Sequence, residues 1–459
     1  MNERIVILGG GESGVGAAML AQQKGYEVFL SDGGNLAPDR RRTLKSIKID
    51  FEEGGHSEEL ILNASLVVKS PGIPDSAALV QKILGKGIPV ISEIEFAYRF
   101  IDKAKVIAIT GTNGKTTTSL LTYHLLKTAG FKVALGGNVG RSLAGLVAEG
   151  GFHYYVVEVS SFQLDGIKNF RPDVAVLLNI TPDHLDRYDY NFNKYVTSKF
   201  RIVENLTSEQ AFIYCADSEP VTEEISRRKI EASMFAMTAS NNNKLSAYLK
   251  EEHLIFNFQF KRDSAQYKIP VSEISLIGKH NMVNSMAAVL SALCMEVPME
   301  KVLKGLKNFK NAPHRLEFVT EIDGAAYIND SKATNVDSVY YALDGVKGDI
   351  VWIAGGIDKG NDYSQIEKLV KKKVKALICM GTDNRPLTSF FGSRLEKIVE
   401  VDSVKKAVQQ AHDWAEEGDV VLLSPACASF DLFSNYEDRG DKFKRAVSKL
   451  SKKLKAKEA

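Results

Sequence analysis

Cysteine is scarce in this 459-residue chain, with four residues at positions 215, 294, 379 and 427. No two are close enough for a C-x-x-C pair, so local spacing gives no zinc ribbon and no dithiol redox motif. Such usage fits a reducing compartment. An excess of one charge is lacking too: 59 Lys and Arg stand against 57 Asp and Glu, a net of +2. That leaves no overall basic field of the kind nucleic acid attracts. Long apolar runs are missing. No stretch reaches the ~18 residues of a membrane span, and the apolar run in MNERIVILGG is too short for a secretory leader. A cytoplasmic protein with no membrane span and no nucleic-acid partner is expected. The basic run KLSKKLKAKEA at the C-terminus reads as a solvated helix end.

What is present is an alternation of short apolar runs and longer amphipathic segments, with 44% hydrophobic residues overall. Strands are expected at 4–8, 27–31, 65–69, 105–110, 154–159, 173–178, 350–354, 376–380 and 419–423. Several are apolar on both faces, as buried parallel strands are. Helices are expected at 14–24, 115–128, 283–295 and 404–416. The pattern predicts α/β architecture with mostly parallel sheets. It restarts near 105 and again after a linker at 310–317, which divides the chain into three blocks. The polar stretch 218–270 reads as a peripheral α+β insertion in the middle block.

Two glycine loops carry chemistry. In ILGGGESGVG, Gly9, Gly11 and Gly14 satisfy G-x-G-x-x-G between a strand and a helix. Such a loop allows a tight turn and brings backbone N–H groups and a helix N-terminus to a diphosphate. Asp32 ends the next strand, where a ribose-binding acid would stand. Alone, this segment reads as nucleotide-binding and is shared with nicotinamide-dependent dehydrogenases.

The second loop is more specific. A strand leads into Gly111-Thr112-Asn113-Gly114-Lys115-Thr116-Thr117 and then a helix. Successive N–H groups form a nest for phosphate oxygens. Lys115 suits the β and γ phosphates, and the Thr116 hydroxyl suits Mg²⁺. Only two residues separate Gly111 from Gly114, fewer than in the usual P-loop. By itself the loop is also compatible with an ATPase that drives binding rather than synthesis.

The compact T-G-T-N-G-K-T-T form resembles the ATP loop of the Mur ligase family, and further stretches resemble it in order. They are Gly136-Gly137-Asn138-Val139-Gly140, Glu158-Val159-Ser160-Ser161-Phe162-Gln163-Leu164, and Asn179-Ile180-Thr181-Pro182-Asp183-His184-Leu185-Asp186. Then come Lys199, His280-Asn281 with Asn284, and His314-Arg315-Leu316-Glu317. In the last third, Asn329-Asp330-Ser331-Lys332-Ala333-Thr334-Asn335 is similar to the segment of the family's D-glutamate-adding branch. Gly355-Gly356-Ile357-Asp358-Lys359 and Ser424-Pro425-Ala426-Cys427-Ala428-Ser429-Phe430-Asp431 also fit. Two features depart from that branch: Tyr436 stands where Phe is common, and 218–270 is longer than expected.

The resemblance implies three domains: Rossmann-like 1–94 for a UDP-sugar, a central P-loop ATPase-like domain 95–311, and Rossmann-like 312–459 for the amino acid. It implies an ATP-dependent ligase joining D-glutamate to UDP-N-acetylmuramoyl-L-alanine through an acyl phosphate, acting as a monomer. Lys115, His184 and Lys199 are the implied catalytic residues. ATP would lie on Gly111, Thr112, Asn113, Gly114, Lys115, Thr116, Thr117, Asn281, Asn284, Arg315 and Asp330. The UDP-sugar would meet Ser13, Gly14, Val15, Asp32, Ser70, Gly72, Asn138, Ser160 and Gln163. D-Glutamate would meet Lys332, Thr334, Lys359, Ser429, Phe430 and Tyr436. Two Mg²⁺ ions would draw on Thr116, Glu158, His184 and Lys199, the last carrying a carbamate. Because ATP and amino-acid residues fall on different blocks, the third block is expected to close over the second.

Overall fold

A computed structural model describes residues 3–276 and 278–458. The chain forms two compact units: residues 3–276 with 281–309, and residues 278–280 with 310–458. The first unit carries two sheets and the second carries one. The result is a three-domain α/β fold with mostly parallel, open sheets.

The first sheet runs Asp50–Glu53, Glu27–Asp32, Arg4–Leu8, Leu66–Lys69, Val90–Ser92, all parallel. Arg4–Leu8 is central because its apolar residues are covered on both faces. The glycine loop follows it, and the helix Glu12–Gln23 starts two residues before the expected 14–24. Gly14 is required by packing: a Cβ there would strike the Gly9 carbonyl.

The central sheet has nine strands. In spatial order they are Asp263–Pro270, His253–Phe260, Ala247–Lys250, Ser233–Thr238, Ala211–Cys215, Val174–Leu177, Lys105–Thr110, Tyr154–Glu158 and Val133–Gly137. The last seven are parallel and the first two pair antiparallel. The segment 218–270 is α+β, as expected, and lies at one edge of the sheet, which it extends with four strands beside the helix Glu219–Arg227. Its strands are hidden in sequence by their polar outer residues. Phe256, Phe258 and Phe260 point inward while Asn257 and Gln259 do not, a period-2 pattern that interrupts every apolar pair with an amide. Phe235 packs between Phe258 and Phe260 at 5.7 and 5.9 Å.

The third sheet runs Glu317–Ile322, Ala325–Asn329, Val420–Leu423, Ile350–Ala354, Val374–Met380, Ile398–Val401. Only the first pair is antiparallel. The expected linker 310–317 therefore ends one residue inside a strand. The helix expected at 283–295 runs Lys279–Cys294, so its first turn carries His280 and Asn281. All four cysteines are buried thiols. No described helix is long and apolar enough to cross a membrane.

Candidate active site

The central sheet changes winding direction at Lys105–Thr110. The chain goes from it to the edge strand Val133–Gly137, returns to Tyr154–Glu158 beside it, then crosses to Val174–Leu177 on its other side. At such a switch point the loops at the C-terminal strand ends splay apart and leave a crevice. Four of the expected motifs leave those ends.

The Gly111–Thr117 loop is held from below by its neighbours. Thr112 N donates to Asn179 O at 2.8 Å, Asn113 N donates to Asn179 Oδ1 at 2.8 Å, and Asn179 Nδ2 donates back to Asn113 O at 3.1 Å. Thr112 Oγ1 bonds Thr181 O and Tyr195 Oη, both at 3.1 Å. Gly114 caps the helix Lys115–Thr128 with φ +84°, where a side chain is strained and a Cβ would strike Asn284 Oδ1. Asn281 and Asn284 are each 4% exposed. Asn284 accepts from Thr118 Oγ1 at 3.3 Å and donates to Asn281 at 3.0 Å. Both asparagines thus brace the loop from behind.

Two lysines meet at this loop. Lys115 Nζ donates to the carbonyls of Gly111 at 2.7 Å and Thr112 at 2.8 Å. Lys199, on the helix Phe192–Phe200, is 1% exposed and donates to Gly111 O at 2.9 Å. Its amine lies 4.7 Å from the Tyr195 ring centre. Burial, and then the charge of Lys115, push the Lys199 amine well below the usual lysine range; Asp183, Glu158 and Asp165 oppose the shift. Asp183 is among the charges that oppose the shift, a link to Lys199 that sequence spacing does not show.

Glu158 is 2% exposed at the end of its strand. Oε1 accepts from Asn138 Nδ2 at 2.9 Å, while buried Oε2 has no hydrogen-bond donor among the described residues. Ser160 and Gln163 form a capping box on the helix Ser161–Asp165, so both are engaged by the helix start. His184 sits at φ +52° with its ring edge-on to Phe162 at 5.3 Å and Nε2 3.7 Å from Asp183. Among the described residues, no three His, Cys, Asp or Glu side chains cluster as a metal site.

On the first sheet, Asp32 accepts from Gly10 N at 2.5 Å and Gly34 N at 2.8 Å, tying down the glycine loop. Ser13 is half-buried, and Gly14 and Val15 are buried. Ser70 Oγ donates to Gly9 O at 3.2 Å. Gly72 is exposed, and its carbonyl and that of Pro71 accept from Arg187 at 3.4 and 3.3 Å. The Arg187 guanidinium lies 4.4 Å from the Phe162 ring. Arg187 thus joins the Ser70–Gly72 turn to the His184 loop, a link invisible in one dimension.

The second unit gathers the remaining residues at the C-terminal ends of its parallel strands. Asp330 is buried, accepting from Leu316 N at 3.2 Å and Ser424 Oγ at 2.9 Å. Burial pushes its carboxyl up to about 6, against the pull of Arg315. Lys332 Nζ lies 5.3 Å from the Tyr436 ring centre, a contact the usual Phe would also make. Thr334 is half-buried, and Lys359 is exposed beyond Asp358, whose Oδ1 accepts from Gly360 N and Asn361 N at 2.7 and 2.9 Å. Ser429 is buried and Phe430 is 70% exposed.

One residue here was not anticipated. Arg439, on the helix Tyr436–Glu458, is 1% exposed and donates to Ser331 Oγ at 3.0 Å, Ser331 O at 2.9 Å, Cys427 O at 3.1 Å and Gly355 O at 3.3 Å. One guanidinium therefore fastens the three loops that carry Lys332, Lys359 and Ser429. Burial lowers it to about 10. The only sequence signal was an arginine shortly after the loop that follows Cys427-Ala428-Ser429-Phe430-Asp431.

Comparison with known proteins gives three domain matches: the Mur ligase middle domain at residues 109–292, the Mur ligase glutamate ligase domain at 314–427, and a MurD N-terminal domain at 4–78. A UDP-N-acetylmuramoylalanine–D-glutamate ligase of Christiangramia forsetii is 47% identical over 450 residues, 98% of this chain and 100% of that protein. The protein of the same description in Cytophaga hutchinsonii is 50% identical over 452 residues, with the same coverage. The solved structure of UDP-N-acetylmuramate-alanine ligase MurC from Thermotoga maritima superposes with TM-score 0.62 at 17% identity, covering 97% of this chain and 99% of that one.

Proposed function

The chain belongs to the Mur ligase family, and from that premise we propose how its own residues carry the reaction. It is an ATP-dependent amide-forming ligase of peptidoglycan precursor synthesis that adds D-glutamate to UDP-N-acetylmuramoyl-L-alanine. A carboxylate is a poor electrophile. Its oxygen takes the γ-phosphoryl of ATP and ADP leaves. The D-glutamate amine then attacks the acyl carbon, the C–O bond to phosphate breaks, and the amine proton passes to base or water. Two anions must approach one another, so positioning and charge stabilisation dominate.

The observation that carries this reading is the pair of lysines at the Gly111 carbonyl beside the donor-less oxygen of Glu158. Lys115 neutralises phosphate charge as it forms. The oxygen chemistry fits a hard divalent ion: Thr116 and Glu158 would hold one Mg²⁺, and His184 with a carbamate on Lys199 a second. Bound there, the ions would neutralise oxygens of the transferring group. Lys199 suits carbamate formation because burial favours its neutral amine, the form that adds CO₂ with release of a proton.

In the first unit, Ser13, Gly14, Val15, Asp32, Ser70, Gly72 and Asn138 receive the nucleotide-sugar, with Ser160 and Gln163 shaping its loop. In the second, Lys332 and Lys359 supply two cations for a doubly anionic amino acid, flanked by Thr334, Ser429, Phe430 and Tyr436. Arg315 and Asp330 complete the nucleotide set. The protein works in the cytoplasm as a monomer, which light scattering checks directly.

The test is phosphate release with ATP, Mg²⁺ and UDP-N-acetylmuramoyl-L-alanine, comparing D-glutamate, L-glutamate, L-alanine and diaminopimelate. Release that needs the nucleotide-sugar and D-glutamate alone supports the reading. Release with another amino acid overturns the assignment of the second unit while leaving the ATP chemistry intact.

A further inference from the structure

A polar cluster on the first sheet has no part in the roles assigned above. Ser31 and Glu52 stand opposite each other on the neighbouring parallel strands Glu27–Asp32 and Asp50–Glu53. Ser31 is fully buried, and its Oγ donates to Glu52 Oε1 at 2.6 Å. The same Oγ lies 2.6 Å from Nδ1 of His56, three residues beyond the second of these strands. Ser57 N also donates to Glu52 Oε1, at 2.8 Å. Burial by itself would raise the Glu52 carboxyl, but the hydrogen bonds from Ser31 and Ser57 outweigh it and hold it below the usual range.

The protons of this relay follow from its partners. A carboxylate only accepts, so the single Ser31 proton goes to Glu52. Towards His56 the hydroxyl can then only accept, which places the imidazole proton on Nδ1. In the neutral ring Nε2 is therefore an acceptor. His56 and Gly33 are both exposed. Nε2 faces Gly33, where a Cβ would stand 3.0 Å from that nitrogen. Gly33 is not among the glycines of positive φ, so its backbone does not demand glycine. The missing side chain keeps the nitrogen clear.

The order of the strands says what reaches this nitrogen. Arg4–Leu8, Glu27–Asp32 and Asp50–Glu53 lie side by side, ~4.8 Å apart. A diphosphate on the glycine loop sits beyond the end of the first, and a ribose near Asp32 beyond the second. A base carried outward from that ribose meets Gly33 and His56. Asp32 engages both carboxylate oxygens with Gly10 N and Gly34 N, which leaves the base to another side chain. A uracil ring presents an N3–H donor where cytosine presents a bare N3 acceptor.

We propose that His56 Nε2 accepts from N3–H of the uracil ring and so selects a uridine nucleotide over a cytidine one. The inference rests on the nucleotide-sugar reading of the first unit and adds the residue that reads its base.

The test compares KM and kcat of the full chain for UDP-N-acetylmuramoyl-L-alanine with those for its N3-methyluridine and cytidine analogues, both of which lack the donor. Wild type should show KM higher by about tenfold or more for each analogue. This arm needs no variant and stands even if a substitution fails to fold. His56→Ala should raise KM for the natural substrate by a similar factor and treat all three nucleotides alike. Its KM values for ATP and D-glutamate should not move. Gly33→Ala, which keeps the imidazole but crowds Nε2, should raise KM for the natural substrate as well. Equal KM of wild type for the three nucleotides, or a His56→Ala protein that still discriminates, would overturn the proposal while leaving the nucleotide-sugar reading intact. Ligation that needs no nucleotide-sugar would overturn that reading and the proposal with it.

Discussion

Lys199 and Lys115 donate to one acceptor, the Gly111 carbonyl, at 2.9 and 2.7 Å. Lys199 is the buried one, and burial first, then the charge of Lys115, lowers its hold on a proton. The Gly111–Thr117 loop thereby shifts the Lys199 amine toward its neutral form within its own hydrogen-bond network.

Lys199→Met separates stability from activity. The folded lysine titrates below its unfolded range, so between those two values the unfolded chain binds the extra proton and stability rises with pH. In CO₂-free buffer the Met variant should melt higher than wild type at pH 7 and show a flatter rise toward pH 10. Its ligation rate should fall by about 10–100-fold or more. Wild-type activity should drop on CO₂ stripping and recover with bicarbonate, and the variant should respond to neither.

Gly114→Ala tests the loop geometry. Alanine at φ +84° costs about 1–2 kcal/mol, and its Cβ strikes Asn284 Oδ1. Tm should fall and KM for ATP should rise, while KM for D-glutamate stays within about twofold. An unchanged KM for ATP would show that the loop does not set nucleotide affinity.

Arg439→Met leaves buried acceptors in three loops without donors, each costing on the order of 1–3 kcal/mol. The second unit should lose stability, and KM for D-glutamate should rise well before KM for ATP does. Arg439→Lys should recover stability in part, since one ammonium cannot span Ser331, Gly355 and Cys427 together. Parallel changes in both KM values would reduce Arg439 to a general stability role.

Glu93 gives a pH signature. It is buried, accepts from Ala144 N at 2.5 Å, and burial lifts its carboxyl to about 7, helped by the charge of Glu12. A raised carboxyl is stabilising when protonated. On the order of 3 kcal/mol should be present below about pH 4.5 and lost as pH climbs to 7, with no further change above. Glu93→Gln should remove that slope in denaturant midpoints measured from pH 4.5 to 7.5.

The motifs were legible because they are local. The strand, Gly111–Gly114 and the following helix need only neighbouring residues to define them, and Gly-Gly or Asn-Asp stretches announce their own turns. The strands of 218–270 were not placed one by one because polar residues interrupt their apolar ones, as Asn257 and Gln259 do in His253–Phe260. Arg439 and Arg187 gave little signal because most of their acceptors lie more than eighty or more than a hundred residues away, at Gly355, Ser331 and Pro71.

The sequence by itself determined the two glycine loops, the alternating α/β plan and the family resemblance, since these follow from short-range backbone chemistry and the order of motifs. Tertiary structure decided which amine is pushed toward its neutral form, which carboxylate keeps a donor-less oxygen, and which guanidinium ties three loops together. Those properties depend on desolvation and on partners brought from distant parts of the chain, and no local pattern of residues encodes how deeply a side chain will be buried.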